Sequence, residues 1–150
     1  MSTFVCPEPA DTMALARKVA ALLRPGDVIV LSGGLGAGKT LFTGGLAAGL
    51  GVEEPVTSPT FILMRQYRGG FIPLYHVDVY RLGSLNEFDD LEVVELARDG
   101  VLVVEWGDAV ESELPADHLR IEIEAQEDGS RKITLIPVGS WAQRSMELVG

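Results

Sequence analysis

Cysteine occurs once in these 150 residues, at Cys6, so no disulfide within the chain can staple the fold. No neighbouring cysteine or histidine stands at a metal-ligand spacing from it, and Cys6 reads as a small half-buried hydrophobe near the terminus. Long apolar runs are missing too: none approaches the roughly 18–20 residues that a membrane span requires. The opening MSTFVCPEPADTM has neither the positive start nor the apolar stretch of a secretory signal, which points to the cytoplasm and away from a membrane. Clustered basic residues are also lacking. Phosphate backbones bind through counterion release onto grouped Lys and Arg, so tight direct binding of nucleic acid is not expected.

What is present is an acidic, apolar-rich chain. Hydrophobic residues make up 47% and charged residues 23%, with a formal net charge of -10. The charge is uneven: residues 1–75 hold 6 Lys and Arg against 5 Asp and Glu, residues 76–150 hold 6 against 17. Such an acidic half gives a solvated surface or a face for a basic partner protein. The length suits one domain, 1–150, that buries about two-thirds of its unfolded surface. No repeat or low-complexity tract divides it.

Thr3 to Cys6 predict a short edge strand, interrupted by Pro7 and Pro9. A helix capped by Asp11 or Thr12 follows, because Met13, Ala16, Val19, Ala20 and Leu23 recur at helical spacing until Pro25 and Gly26. DVIVLSG (27–33) is an apolar run suited to a strand buried on both faces, and GKTLFTGGLAAGLG continues as a helix ending near Gly49 or Gly51. FILMRQY (61–67) and FIPLYHVDVYRL (71–82), separated by Arg68, Gly69 and Gly70, predict a hairpin. A helix over Asn86 to Arg98 and a strand VLVVEW (101–106) come next. LRIEIEAQ, EDGS and RKITLIPV then alternate apolar and polar residues about an Asp-Gly turn. The sum is an α/β fold whose sheet is parallel at its centre and antiparallel toward its edges.

Gly33-x-x-x-x-Gly38-Lys39-Thr40 fits the P-loop pattern, and it stands after a predicted strand and before a predicted helix, the context that pattern needs. Glycine lets backbone amides turn inward with no Cβ in the way, forming a nest for phosphate oxygens at a helix N-terminus. Gly33, Gly34, Leu35, Gly36, Ala37 and Gly38 thus form a phosphate cradle, with Lys39 reaching the β- and γ-phosphates and the Thr40 hydroxyl on Mg²⁺. The metal in such sites takes a second anchor from a carboxylate at the end of a neighbouring apolar strand. Asp78 and Glu105 are the two candidates, each an ion that is costly to bury unless paired or metal-bound, or else an exposed strand-end charge. Trp106 offers a flat face for a base or a partner, or a core residue. His76 stays unassigned, as a base or as a hydrogen-bonded structural residue. Asp89, Asp90, Glu92 and Glu95 read as a solvated helix face.

LGAGKT (35–40), SPTF (58–61), Tyr67, HVDVYRL (76–82), VEW (104–106) and LP (114–115) stand in an order and spacing that resemble the TsaE family, also called YjeE, over nearly the whole chain. The resemblance implies a P-loop NTPase-like three-layer sandwich that binds ATP and Mg²⁺ and hydrolyses ATP slowly alone. It implies work with two partners, TsaB and TsaD, in forming N6-threonylcarbamoyladenosine at position 37 of tRNAs that read ANN codons, the tRNA being met through the partners. Carried over by position, Gly33 to Thr40 match the phosphate loop, and Thr40 and Glu105 match the family's Mg²⁺ contacts. Asp78 matches its carboxylate beside the γ-phosphate, so Lys39, Asp78 and Glu105 are the implied catalytic set. Thr57, Ser58, Pro59, Thr60 and Phe61 match a switch-like segment. Thr12 and Arg131 match nucleotide contacts away from the phosphates, and Trp106 an aromatic position tied to activity.

One departure is Gly34, where the family commonly has an acid. The amide nest does not depend on that side chain, so binding should survive its loss. Two other functions compete with the ATPase. A small-molecule kinase needs a lid bringing arginines onto the transferred group, whereas Arg65, Arg68 and Arg81 are scattered. A nucleotide-gated interaction module would hold ATP without turnover.

Overall fold

A computed structural model describes residues 1–34, 36–56, 64–78, 93–105 and 117–144, with the backbone alone for Asp78, Val93 and Val94. The elements run β1 (Ser2–Cys6), α1 (Pro9–Ala20), β2 (Val28–Ser32), α2 (Lys39–Gly49), β3 (Met64–Tyr67), β4 (Leu74–Asp78), α3 (Val93–Leu96), β5 (Val101–Glu105), β6 (His118–Ala125) and β7 (Arg131–Val138), ending in a 3-10 helix (Gly139–Gln143). Seven strands form one sheet in the order β1-β7-β6-β2-β5-β4-β3. Strands β6, β2, β5 and β4 are parallel neighbours, while β3, β7 and β1 join antiparallel at the flanks. The parallel centre with antiparallel edges agrees with the sequence reading.

Apolar runs form the middle strands because both faces of the sheet are covered. On one face Ile29, Leu31, Val101, Val103, Leu119 and Ile121 pack in the core shared with α1 and α2. On the other, Val28, Val30, Tyr75, Val77, Leu102 and Val104 meet Ala97, just after α3. Each such side chain taken wholly from water contributes about 1.5–3 kcal/mol before the entropy of ordering is set against it. The helices α1 and α2 approach closely through small residues: a Cβ on Gly45 would strike Ala16, and one on Gly49 would strike Ala20. These contacts, 16 with 45 and 20 with 49, also make the two helices parallel. The first turn of α1 therefore lies toward the start of α2.

Three sequence expectations change. Helix α1 begins at Pro9 with Glu8 as its cap, in place of a cap at Asp11 or Thr12. Proline needs no N–H at a first helical position, and the Asp11 carboxylate accepts the Glu8 amide at 2.9 Å, closing a capping box. Thr12 is consequently inside the helix and buried. The β3–β4 connection spans residues 68–73, longer than Arg68, Gly69 and Gly70, because the loop docks on the end of α2: the Phe71 amide donates to the Leu50 carbonyl at 2.6 Å. Cys6 is a buried core residue, and burial first of all raises its thiol pKa. The β6–β7 hairpin forms as read, around residues 126–130. Residues 86–92 of the expected helix lie outside the described residues.

The N-terminal edge of the parallel strands is tied by polar clusters. Arg144 donates two bonds to the Asp27 carboxylate, at 2.7 and 2.6 Å, and its guanidinium lies 3.8 Å from the centre of the Trp141 ring. The Tyr75 hydroxyl donates to Asp99 at 2.6 Å and accepts from Arg68 at 2.8 Å.

Candidate nucleotide-binding site

Strand β2 ends at Ser32, and the chain turns through the glycine-rich loop into α2 at the C-terminal edge of the parallel strands. In open α/β sheets this edge is where ligands bind. Gly38 caps α2 with φ 111° and ψ 20°, and Gly36 has φ 76°, left-handed conformations that side chains rarely adopt. Gly33 meets a different constraint: a Cβ there would lie 2.5 Å from the Ile123 carbonyl oxygen of β6. At Gly34 a Cβ would meet nothing within 4 Å among the described residues, so there its glycine answers no steric demand from them.

Lys39 begins α2 and is 7% exposed. Its Nζ donates to the Gly33 carbonyl at 2.6 Å and the Gly34 carbonyl at 3.3 Å, which sets the ammonium across the loop. Arg131, from the start of β7, braces the other side. Its Nε donates to the Ala37 carbonyl at 2.8 Å and its Nη2 to the Gly36 carbonyl at 3.4 Å, with further bonds to the carbonyls of Gly129 and Ser130. Two cations thus occupy loop carbonyls, and the α2 N-terminus has neither a side-chain cap nor an acid in its first turn. Orphan amides at a helix start, with positive charge beside them, form a site for an anion. Thr40, next in the helix, is half-buried.

Strand register places the carboxylates. Leu31 of β2 is paired with Glu105 of β5, and Asp78 of β4 is paired with the same Glu105. Two residues beyond Leu31 the loop starts, so Glu105 and the backbone of Asp78 stand beside its entrance. Glu105 is 3% exposed and accepts a hydrogen bond from His76, with Nε2 to Oε2 at 2.7 Å. This pair is what sequence reading missed. His76 stays unassigned in the sequence because its partner, 29 residues away, depends on the register of two parallel strands.

The Thr12 hydroxyl is buried without a well-formed hydrogen bond among the described residues, in the first turn of α1 near the start of α2. Its polar influence falls on the Cys6 thiol, whose pKa it lowers against the larger effect of burial. Leu35, Thr57 to Phe61 and Trp106 lie outside the described residues, as does the Asp78 side chain. Among the described residues no three His, Cys, Asp or Glu side chains gather into a metal cluster, and no helix is long and apolar enough to cross a membrane.

A left-handed glycine cap, a lysine across the loop and a buried carboxylate one strand away, at the C-terminal edge of a mostly parallel sheet, define a P-loop nucleotide-binding fold. The family model described as threonylcarbamoyl adenosine biosynthesis protein TsaE matches residues 6–133, and the chain belongs to that family. Two curated relatives named tRNA threonylcarbamoyladenosine biosynthesis protein TsaE are similar over most of their length. The one from Bacillus subtilis is 46% identical over 88% of this chain and 83% of its own. The one from Treponema pallidum is 48% identical over 83% of this chain and 93% of its own. The crystal structure of Bacillus subtilis YdiB aligns with a TM-score of 0.78 at 39% identity, covering 98% of this chain and 93% of that one. The family works in tRNA threonylcarbamoyladenosine biosynthesis, which implies a complex with other enzymes.

Proposed function

We propose that this protein is a Mg²⁺-dependent ATPase, slow by itself, that acts in the cytoplasm with TsaB and TsaD in forming N6-threonylcarbamoyladenosine at position 37 of tRNA. The observation that carries the reading is the uncapped start of α2 with the Lys39 ammonium across its loop. Residues 33–40 hold the polyphosphate through amide N–H groups, and Lys39 meets the outer phosphates. Arg131 holds the loop's carbonyls outward, which leaves its amides for the ligand. Thr12 and Arg131 flank the nucleotide away from its phosphates, Trp106 follows the metal-side strand, and residues 57–61 respond to which nucleotide is present.

The donor set suits magnesium. The Thr40 hydroxyl and the Glu105 carboxylate are hard oxygen ligands, and this ion is usually held by one or two protein oxygens together with substrate phosphates. Bound there, it would neutralise charge on the β- and γ-phosphates. Asp78, one strand further along the edge, is the carboxylate assigned to the region of the γ-phosphate and the attacking water.

Phosphate release from Mg-ATP, with and without a complex of the two partners, tests this reading. Slow release alone and stimulation by the complex are expected. Tight retention of ATP with no release in either case would make the protein a nucleotide-gated interaction module. Transfer to a metabolite would make it a small-molecule kinase.

A further inference from the structure

His76 is fully buried in β4 yet uses only one of its two ring nitrogens: Nε2 meets Glu105, and Nδ1 has no partner among the described residues. Its register partners are Val103 of β5 on one side and Arg65 of β3 on the other, and its neighbour two residues back on the strand is the core residue Leu74. Packing beside Val103 and Leu74 does not itself call for an imidazole. Leaving a buried polar atom unpaired costs about 1–3 kcal/mol, so the position carries a cost that the bond to Glu105 must offset. An unmet lone pair is less costly than an unmet N–H, and this places the hydrogen on Nε2, donating to the carboxylate.

A glutamate's last torsion is broad and settles on no single rotamer by itself. Pinning Oε2 fixes the plane of the Glu105 carboxylate and hence the direction in which Oε1 is offered. We infer that His76 is a positioning residue: its Nε2–H orients Glu105 so that the carboxylate meets Mg²⁺ already aligned. The inference rests on the reading of Glu105 as a metal contact. It gives His76 a task in holding the metal's ligand and none in proton transfer.

The test is the Mg²⁺ concentration needed for half-maximal binding of a non-hydrolysable ATP analogue, measured by calorimetry, with a parallel titration in EDTA. Glutamine can bring an amide N–H toward the carboxylate, whereas asparagine is one methylene shorter and equally polar. His76→Asn should raise the Mg²⁺ requirement about 10–100-fold and leave metal-free affinity within about twofold, the scale on which outer partners of metal ligands act. His76→Gln should stay within about threefold of wild type, and His76→Asn should add little in a Glu105→Gln background.

Equal shifts in the asparagine and glutamine variants, or no shift in either, would overturn the positioning role while wild type still depends on Mg²⁺. Should the asparagine variant not fold, a folded His76→Gln protein with a requirement raised more than about tenfold overturns it as well. Wild-type binding indifferent to Mg²⁺ would remove the metal reading of Glu105 and this inference with it.

Discussion

Two helices lie side by side and run in the same direction, but their N-termini are built in opposite ways. Helix α1 satisfies its own start: Pro9 has no amide to pair, and Asp11 accepts the Glu8 amide and places negative charge in the first turn. Helix α2 starts with a left-handed glycine and a lysine, and neither cap nor acid answers its dipole. An internal carboxylate makes the first end self-sufficient and repels external anions. The second end, with its loop carbonyls already held by Lys39 and Arg131, has amides left to offer. The difference teaches that the candidate site is defined as much by the capping residues it omits as by the glycines it contains.

The sharpest way to break this contrast is to remove the cation at α2. Lys39→Ala should lower ATP affinity more than about 100-fold, equivalent to ~2.7 kcal/mol, because a desolvated cation facing phosphate is lost. Calorimetric affinity within a few-fold of wild type would mean that the loop is not the phosphate site. A second comparison separates two adjacent glycines. Gly33→Ala drives a methyl group into the Ile123 carbonyl and should cost about 2 kcal/mol in urea unfolding, with weakened nucleotide binding. Gly34→Ala meets none of the described residues and should change stability by less than about 0.5 kcal/mol. Equal costs at both positions would show that the loop is not shaped by its contact with β6.

Much of this candidate site is legible in the sequence because it is local. The apolar run of β2, the glycines and the Lys-Thr pair are contiguous, and their chemistry depends on neighbours within ten residues. The start of α1 was harder: Glu-Pro-Ala-Asp makes a capping box without the usual serine or threonine, so the cap was sought three or four residues too late. Phe71 and Ile72 look like strand residues and sit in a loop, because the Leu50 carbonyl claims the Phe71 amide. The bracing of the loop by Arg131 spans 94 residues to Ala37, and the His76–Glu105 bond depends on strand register. Such facts arise only when distant segments pack, and no local pattern encodes them.

The capped end gives the third prediction. Asp11→Ala removes the acceptor of the Glu8 amide and should cost about 1 kcal/mol in thermal or urea unfolding. ATP affinity should not change, since α1 lends no amide to the ligand. An affinity gain in this variant would show that the Asp11 charge reaches the neighbouring helix end, which would merge the two termini into one electrostatic unit.

The smallest expected effect comes from the opposite edge of the sheet, where polar groups answer one another. The Tyr75 phenol holds the Asp99 carboxyl below its ordinary value of 3.8, with Arg68 adding to the effect. Burial, followed by the bond to Asp99, pushes the Tyr75 phenol above its ordinary 10.0. A carboxyl lowered on folding contributes stability above its ordinary value and loses it as pH falls through the folded value. A phenol raised on folding contributes stability below its ordinary value and loses it as pH climbs toward the folded value. Tyr75→Phe removes both contributions at once. The gap in stability between wild type and variant should therefore be flat between about pH 5 and 9 and narrow on both the acid and the alkaline side. A gap constant into acid would mean that Asp99 owes nothing to the phenol, and ATP affinity shifted by this variant would couple the two edges that the architecture keeps apart.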